Sequence, residues 1–233
     1  MKYRRCRLAA VCLLWGCLVL LPVVGSAQAE SGSTEPKPDA QPAPPALVAL
    51  QCPEGMVLIP STSSVLTPSG KPLEAFCIDV FEHPNDPGEM PALNITWIEA
   101  EALCMNQGKT ICTAQEWMAA CSGPHGYLYP YGDTYQPETC NTEQEWLLNG
   151  SKAFPSHTYP GCVSGYGVMD MSGNVSEWVA GDGDEALIYG GSFVSGRFSS
   201  CKSYYTLPKS QRYIFNGVRC CVKSKTAEGS VKP

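Results

Sequence analysis

Ten cysteines outside a hydrophobic leader constrain this chain more than any other feature. The full sequence carries 13, and Cys6, Cys12 and Cys17 fall within the first 29 residues. That segment has a basic start (Lys2, Arg4, Arg5, Arg7), an apolar run over residues 8–24 and a small-x-small site at Ser26-Ala27-Gln28-Ala29. It reads as a removable export signal, residues 1–29, or as a retained anchor if uncleaved. A lipoprotein reading would modify Cys17, but Trp15 fits that poorly and cleavage there would strand residues 18–24 on the mature chain. An even number of cysteines in an exported chain is the setting of a disulfide framework. Zinc is the competing reading. It has no Cys-x2-Cys pair to use, and His83, His125 and His157 are not at ligand spacing.

Charge narrows the partners. Without the four basic residues of the leader, 12 Lys and Arg face 22 Asp and Glu, a net charge of −10. That opposes nucleic acid or an anionic membrane as a partner. Residues 30–50 are rich in Pro, Ala and Ser and cannot bury enough apolar surface to order themselves, so they read as a spacer. Residues 223–233 are polar and read as a disordered tail. Between these lies a candidate domain over residues 51–222, long enough for a sizeable core.

Within it, residues 52–59 and 76–81 alternate as strands should, with a turn-rich hairpin or loop between them. Two helices announce themselves by capping boxes, Thr96 with Glu99 and Thr113 with Glu116. Trp97, Ala100, Leu103 and Cys104 give the first an apolar face, and Gly108 is a suitable stop. Trp117, Met118 and Cys121 do the same for the second. Tyr127, Tyr129, Tyr131 and Trp146 are candidate anchors in a loop-rich middle. Short strands are predicted again over residues 186–189, 191–194 and 217–222.

One short run concentrates chemistry: Tyr166-Gly167-Val168-Met169-Asp170-Met171-Ser172-Gly173-Asn174-Val175-Ser176-Glu177-Trp178. Gly173-Asn174 reads as a tight turn, where a positive φ costs little. Asp170 and Glu177 flank it and could aim two carboxylates at one hard cation such as Ca2+. The plainer reading is a turn whose acids cap backbone N–H groups.

Three ordered landmarks resemble the sulfatase-modifying-factor family, whose best-known member is the formylglycine-generating enzyme. The first runs from Asn94-Ile95-Thr96-Trp97 through Gly108-Lys109 and Thr113-Ala114-Gln115-Glu116-Trp117 to Tyr129-Pro130-Tyr131-Gly132-Asp133. The second is the run just described. The third is Gly190-Gly191-Ser192-Phe193 with Asn216-Gly217-Val218-Arg219-Cys220. The resemblance implies a compact, loop-rich α+β domain of C-type-lectin-like fold. It also implies a structural calcium on Asp170, the carbonyls of Gly173 and Val175, and Glu177. A second family calcium would lie near Asn141 and Thr142, but its downstream carboxylate has no clear counterpart.

The resemblance further implies disulfides Cys104–Cys220 and Cys121–Cys201. Cys220 and Cys221 are adjacent on a predicted strand and point to opposite faces, so they need different partners. Cys112 is a reasonable partner for Cys221. Cys140 with Cys162, and Cys52 with Cys77, would close the two remaining loops.

The resemblance breaks at the enzyme's copper site. Copper(I) needs soft ligands, and the family supplies two thiolates just after its Gly-Gly-Ser. Here those positions are Ser195 and Ser200, with Cys201 one residue beyond. Ser192 and Arg197 match site positions but cannot replace thiols. The expected site (Ser192, Ser195, Arg197, Ser200, Cys201) is therefore degenerate, and copper is not expected. Related sulfoxide synthases take their iron histidines largely from another domain, for which this chain has no counterpart.

Two functions follow. One is an exported pseudoenzyme, secreted or periplasmic, that holds a peptide, glycan or protein ligand on the basic-aromatic stretch over residues 193–205. The other is a metal-dependent oxidoreductase acting on a protein or small molecule. The short signal and the family's variants suggest a bacterium. Asn94-Ile95-Thr96 and Asn174-Val175-Ser176 match glycosylation acceptors, but turn formation explains both better.

Overall fold

A computed structural model describes residues 51–143, 152–180 and 185–223. The expected signal, the spacer, Trp146 and all of the tail but Lys223 lie outside those residues. Among the described residues no helix is long and apolar enough to cross a membrane.

Among the described residues ten short strands, two α-helices and one 3-10 turn (Gly196–Phe198) make up the fold. Strands β1 (Met56–Ile59), β4 (Phe76–Asp79), β5 (Thr110–Ile111) and β10 (Cys220–Lys223) form one sheet in the order β1-β4-β10-β5. Strands β2 (Thr62–Leu66) and β3 (Pro72–Leu73) form a separate hairpin, inside the segment expected to be a hairpin or loop. Strands β6 (Ser176–Trp178), β7 (Glu185–Tyr189), β8 (Tyr204–Pro208) and β9 (Asn216–Val218) form the second four-stranded sheet, in the order β8-β7-β6-β9. Lys223, the residue after the expected domain boundary, pairs with Phe76 as part of β10.

Both helices begin where their boxes place them. Helix α1 (Trp97–Asn106) is capped by Thr96, whose hydroxyl accepts from Glu99 N while Glu99 Oε2 accepts from Thr96 N at 2.8 Å. Helix α2 (Ala114–Ser122) repeats this with Thr113 and Glu116. Each cap satisfies donors that the first turn leaves orphaned. The expected strand over residues 191–194 does not form. Gly190 and Gly191 have φ of 84° and 66°, which turns the chain instead.

Among the described residues two larger apolar cores result, with a small third cluster around Ala153, Val175 and Phe193. Trp117 of α2 packs with Phe76, Ile78, Ile59, Val168 and Tyr189. Trp178 of β6 packs with Ala100, Ile188 and Val218 beneath α1. The cysteines are built into these cores. Five pairs stand at S–S distances between 1.99 and 2.05 Å: Cys52–Cys77, Cys104–Cys220, Cys112–Cys221, Cys121–Cys201 and Cys140–Cys162. Cys220 turns into the core under α1 and Cys221 into the core under α2, as strand alternation requires.

Candidate functional site

The run over residues 166–178 closes around a buried ion pair. Arg219, between β9 and β10, is fully buried beside Glu177 of β6. Its Nε donates to both Glu177 oxygens, at 3.2 and 3.0 Å, and its Nη2 donates to Oε1 at 2.9 Å. The remaining donors reach main-chain oxygens of Asp79, Val80 and Met169 at 2.7–3.0 Å. Trp117 Nε1 donates to Glu177 Oε2 at 2.6 Å. One guanidinium thereby ties β4, the 169–170 turn and β6 together, and a buried charge tolerates burial only when paired this fully.

The turn itself is dictated locally. Gly173 has φ of 80°, and a Cβ there would collide with the Asn141 carbonyl. Asn174 has φ of 54°, and its amide bonds to Glu82, to both main-chain groups of Phe154 and to Asn141. Its glycosylation match is thus committed to the interior. Asn94 is exposed but serves a turn of φ 54°, and its carbonyl accepts from Arg212.

The structure brings Asp170, Gly173, Val175 and Glu177 onto this one turn, but Glu177 does not fit the calcium role. A carboxylate offers about four lone-pair sites. Two contacts from Arg219 Nε, one from its Nη2 and one from Trp117 occupy them, and the guanidinium stands where a cation's charge would. Asp170 accepts from His157 N at 2.8 Å. Among the described residues no group of three or more His, Cys, Asp or Glu side chains is placed to hold a metal ion. Treatment of the purified domain with excess EGTA is expected to leave its melting temperature unchanged within about 1 °C. A drop of several degrees, reversed by calcium, would overturn that fit.

Three buried carboxylates share the neighbourhood of one arginine, and this sets a pH dependence. Burial, then the charges of Asp170 and Glu177, pushes Glu82 well above the usual carboxylate range. Burial, with the Glu177 charge beside it, also raises Asp170. Burial raises Asp79 despite its 2.7 Å bond to Lys109. Each group holds its proton more tightly folded than unfolded. Its contribution is fully present below the unfolded pKa, about 4 for a carboxylate. It is lost as pH rises through the raised folded value. The three carboxylates should therefore make the domain melt higher at pH 5 than at pH 8, against the smaller opposing effect of the single half-buried His83, whose imidazole burial holds below its usual value. Glu82→Gln keeps an acceptor for Asn174 and removes the titration, so it should flatten that slope. A stability that rises from pH 5 to pH 8 would contradict this.

The expected degenerate site lies in the turn after β7. Ser195 Oγ accepts from Ser192 N at 2.8 Å, closing the turn. Ser200 Oγ bonds to Ser203 Oγ at 2.8 Å. Gly191 is required here, because a Cβ would meet Ser195 Cβ at 2.8 Å. Arg197 is exposed, and its carbonyl accepts from Tyr129 Oη at 2.7 Å. Cys201 is fully buried in its bond to Cys121. No thiolate is left at this site.

What the turn does border is a cavity of about 370 Å3. Ser192, Val194 and Ser195 line one side, and Tyr205, Tyr213 and Phe215 bring aromatic surface to it. Ser176 also lines it, and Asn216 pairs with Ser176 on the neighbouring strand, so both side chains share a sheet face. Asn216 is fully buried, and neither its Oδ1 nor its Nδ2 has a hydrogen-bond partner. In the sequence Asn216 stands out only as the first residue of the Asn216-Gly217-Val218-Arg219-Cys220 landmark. Its one signal was an amide inside a strand of otherwise apolar and glycine residues.

A family model for the sulfatase-modifying factor enzyme 1-like domain matches residues 71–224, about two thirds of the chain. The chain belongs to that family. It is 34% identical over 119 residues to the inactive C-alpha-formylglycine-generating enzyme 2 of Bos taurus, covering 46% of this chain and 39% of that protein. It is 31% identical over 101 residues to the formylglycine-generating enzyme of Mus musculus, covering 39% and 27%. The match thus spans about two fifths or less of the length of these curated relatives. Among solved structures, Treponema denticola variable protein 1 superposes with a TM-score of 0.56 at 17% identity, over 72% of this chain and 94% of that one. PvdO from Pseudomonas aeruginosa gives 0.57 at 15% identity, with the same coverage. At such identities these likenesses show the fold alone. The α+β, loop-rich architecture expected from the sequence is the one found.

Proposed function

We propose that this sulfatase-modifying-factor-like domain is an exported, non-catalytic ligand-binding module whose seat is the cavity bordered by Ser192, Ser195 and Tyr205. The observation that carries this reading is Cys201. Its sulfur is bonded to Cys121, and the hydroxyls of Ser195 and Ser200 are used in local hydrogen bonds. Copper(I) has no thiolate pair to bind. Five disulfides favour a secreted or periplasmic location. Relatives named inactive stand among the matches, in keeping with this reading.

The cavity suits a ligand with an apolar or aromatic body and a small uncharged polar group. Among the described residues no charged side chain lines it. The hydroxyls of Ser176 and Ser192 on its wall would supply the polar contact, while the Asn216 amide beside Ser176 stays buried and unpartnered. Asn216→Leu should therefore raise stability by about 1 kcal/mol in urea unfolding, because it removes an unsatisfied buried amide. A destabilised Asn216→Leu would mean that the amide is satisfied in solution.

The catalytic alternative is tested by incubating the mature domain with a cysteine-containing peptide, copper(I) and oxygen. Mass spectrometry should find no aldehyde product. Turnover above the no-protein control would overturn the non-catalytic reading.

A further inference from the structure

Strand β8 is, among the described residues, the outer strand of its sheet and pairs with β7 alone. Among the described residues, no main-chain group of Tyr204, Tyr205, Thr206 or Leu207 is bonded on the outward side. Its side chains are open too: Tyr204 and Tyr205 are each 55% exposed, and Phe198 just before is 66% exposed. An exposed aromatic edge of this kind is a template for another extended chain unless something guards it.

Charge says which chain. From Ala186 to Lys223 the sequence has no Asp or Glu, although the whole protein carries an excess of acid. Arg197 and Lys202 are exposed immediately ahead of β8, and neither makes an ion pair among the described residues. Arg212, by contrast, is paired with Glu99, and Arg219 with Glu177. A second copy docking edge to edge would bring no carboxylate to these cations, because residues 186–223 carry none, so self-pairing leaves them unneutralised. An acidic segment would neutralise them.

We infer that β8 takes up an extended acidic polypeptide segment by strand addition, with one side chain entering the adjoining cavity. This rests on the reading of that cavity as a ligand seat. Tyr205, Thr206 and Leu207 belong to both the edge and the cavity wall, so a strand laid on β8 runs along the cavity mouth. The main-chain row would supply affinity, and the cavity and two cations would supply selectivity.

The probe is a fluorescent octapeptide of alternating glutamate and valine with one central tyrosine. Its lysine counterpart and two N-methylated forms, blocking alternate amides on one edge or the other, serve as comparisons. The glutamate peptide should bind and the lysine peptide should not. Arg197→Glu with Lys202→Glu should weaken binding about tenfold, and 0.5 M salt should do the same. One N-methylated register should lose binding at least about tenfold while the other keeps it, a period-two pattern that charge contact alone would not give. Both replaced side chains are exposed, so folding is not at stake. Equal binding of the lysine peptide, equal response of the two registers, no binding up to millimolar peptide, or dimerisation of the protein through β8 would each overturn the inference. A parallel titration with p-cresol, a stand-in for a tyrosine side chain, separates the two claims. If p-cresol binds wild type and is excluded by Val194→Trp while the octapeptide fails, the cavity reading stands and strand addition falls. If neither probe binds, both fall.

Discussion

Replacing Arg219 with leucine is expected to destabilise the domain by about 3–5 kcal/mol, the cost of removing one partner from a buried ion pair. The loss is large because Arg219 does three things at once. It neutralises Glu177, and it lowers the electrostatic cost of Glu82 and Asp170. It also satisfies carbonyls of Asp79, Val80 and Met169. Leucine does none of these. Arg219→Lys should recover only part, because an ammonium cannot fork across both carboxylate oxygens. The double variant Arg219→Leu with Glu177→Leu should be milder than the sum of the single variants, since no unpaired charge is left behind. Urea unfolding of the disulfide-intact domain reads all three. A single-variant loss below 1 kcal/mol would show that the pair does not hold the fold.

Removing the Cys121–Cys201 bridge with paired alanines should cost about 2–5 kcal/mol, as closing an 80-residue separation constrains the unfolded chain strongly. Both sulfurs are buried in the core around Trp117, so lost packing adds to the loss. The bridge also pins the segment from Ser195 to Cys201 against α2. Binding at the cavity should weaken along with stability. Cys121→Ala alone frees the Cys201 thiol, yet should not create an oxidase, because Ser195 and Ser200 still occupy the two ligand positions. Melting under non-reducing conditions gives the first result, and the peptide oxidation assay gives the second. An unchanged melting temperature would mean that the bridge is not formed.

Much of the fold was legible because it is written locally. Thr96 with Glu99 and Thr113 with Glu116 fix the helix starts within three residues of sequence, so no tertiary information was needed. Cys220 beside Cys221 announced two faces through strand alternation. The illegible parts depend on distant partners. Strand β6 hides in what reads as a glycine turn, and becomes a strand only because Ser176, Glu177 and Trp178 pair with Asn216, Gly217 and Val218 in parallel. Strand β8 is not among the strands the sequence predicts, and is a strand because β7 pairs with it residue by residue. Glu177 looked like a cation ligand for the same reason. Its nearest charge, Arg219, is 42 residues away in sequence and adjacent only in the fold. Spacing placed Asp170 and Glu177 on one turn, but it could not say that a guanidinium already takes up the Glu177 oxygens.

The most direct test of the account is the state of Cys201 in the mature protein. Alkylation under denaturing, non-reducing conditions, followed by proteolysis and mass spectrometry, should give a linked peptide pair containing Cys121 and Cys201 and no alkylated cysteine. That result leaves no thiolate beside Ser195 and Ser200. An alkylated Cys201, together with stoichiometric copper on the protein and aldehyde formation on a cysteine peptide, would contradict the account and restore the oxidase.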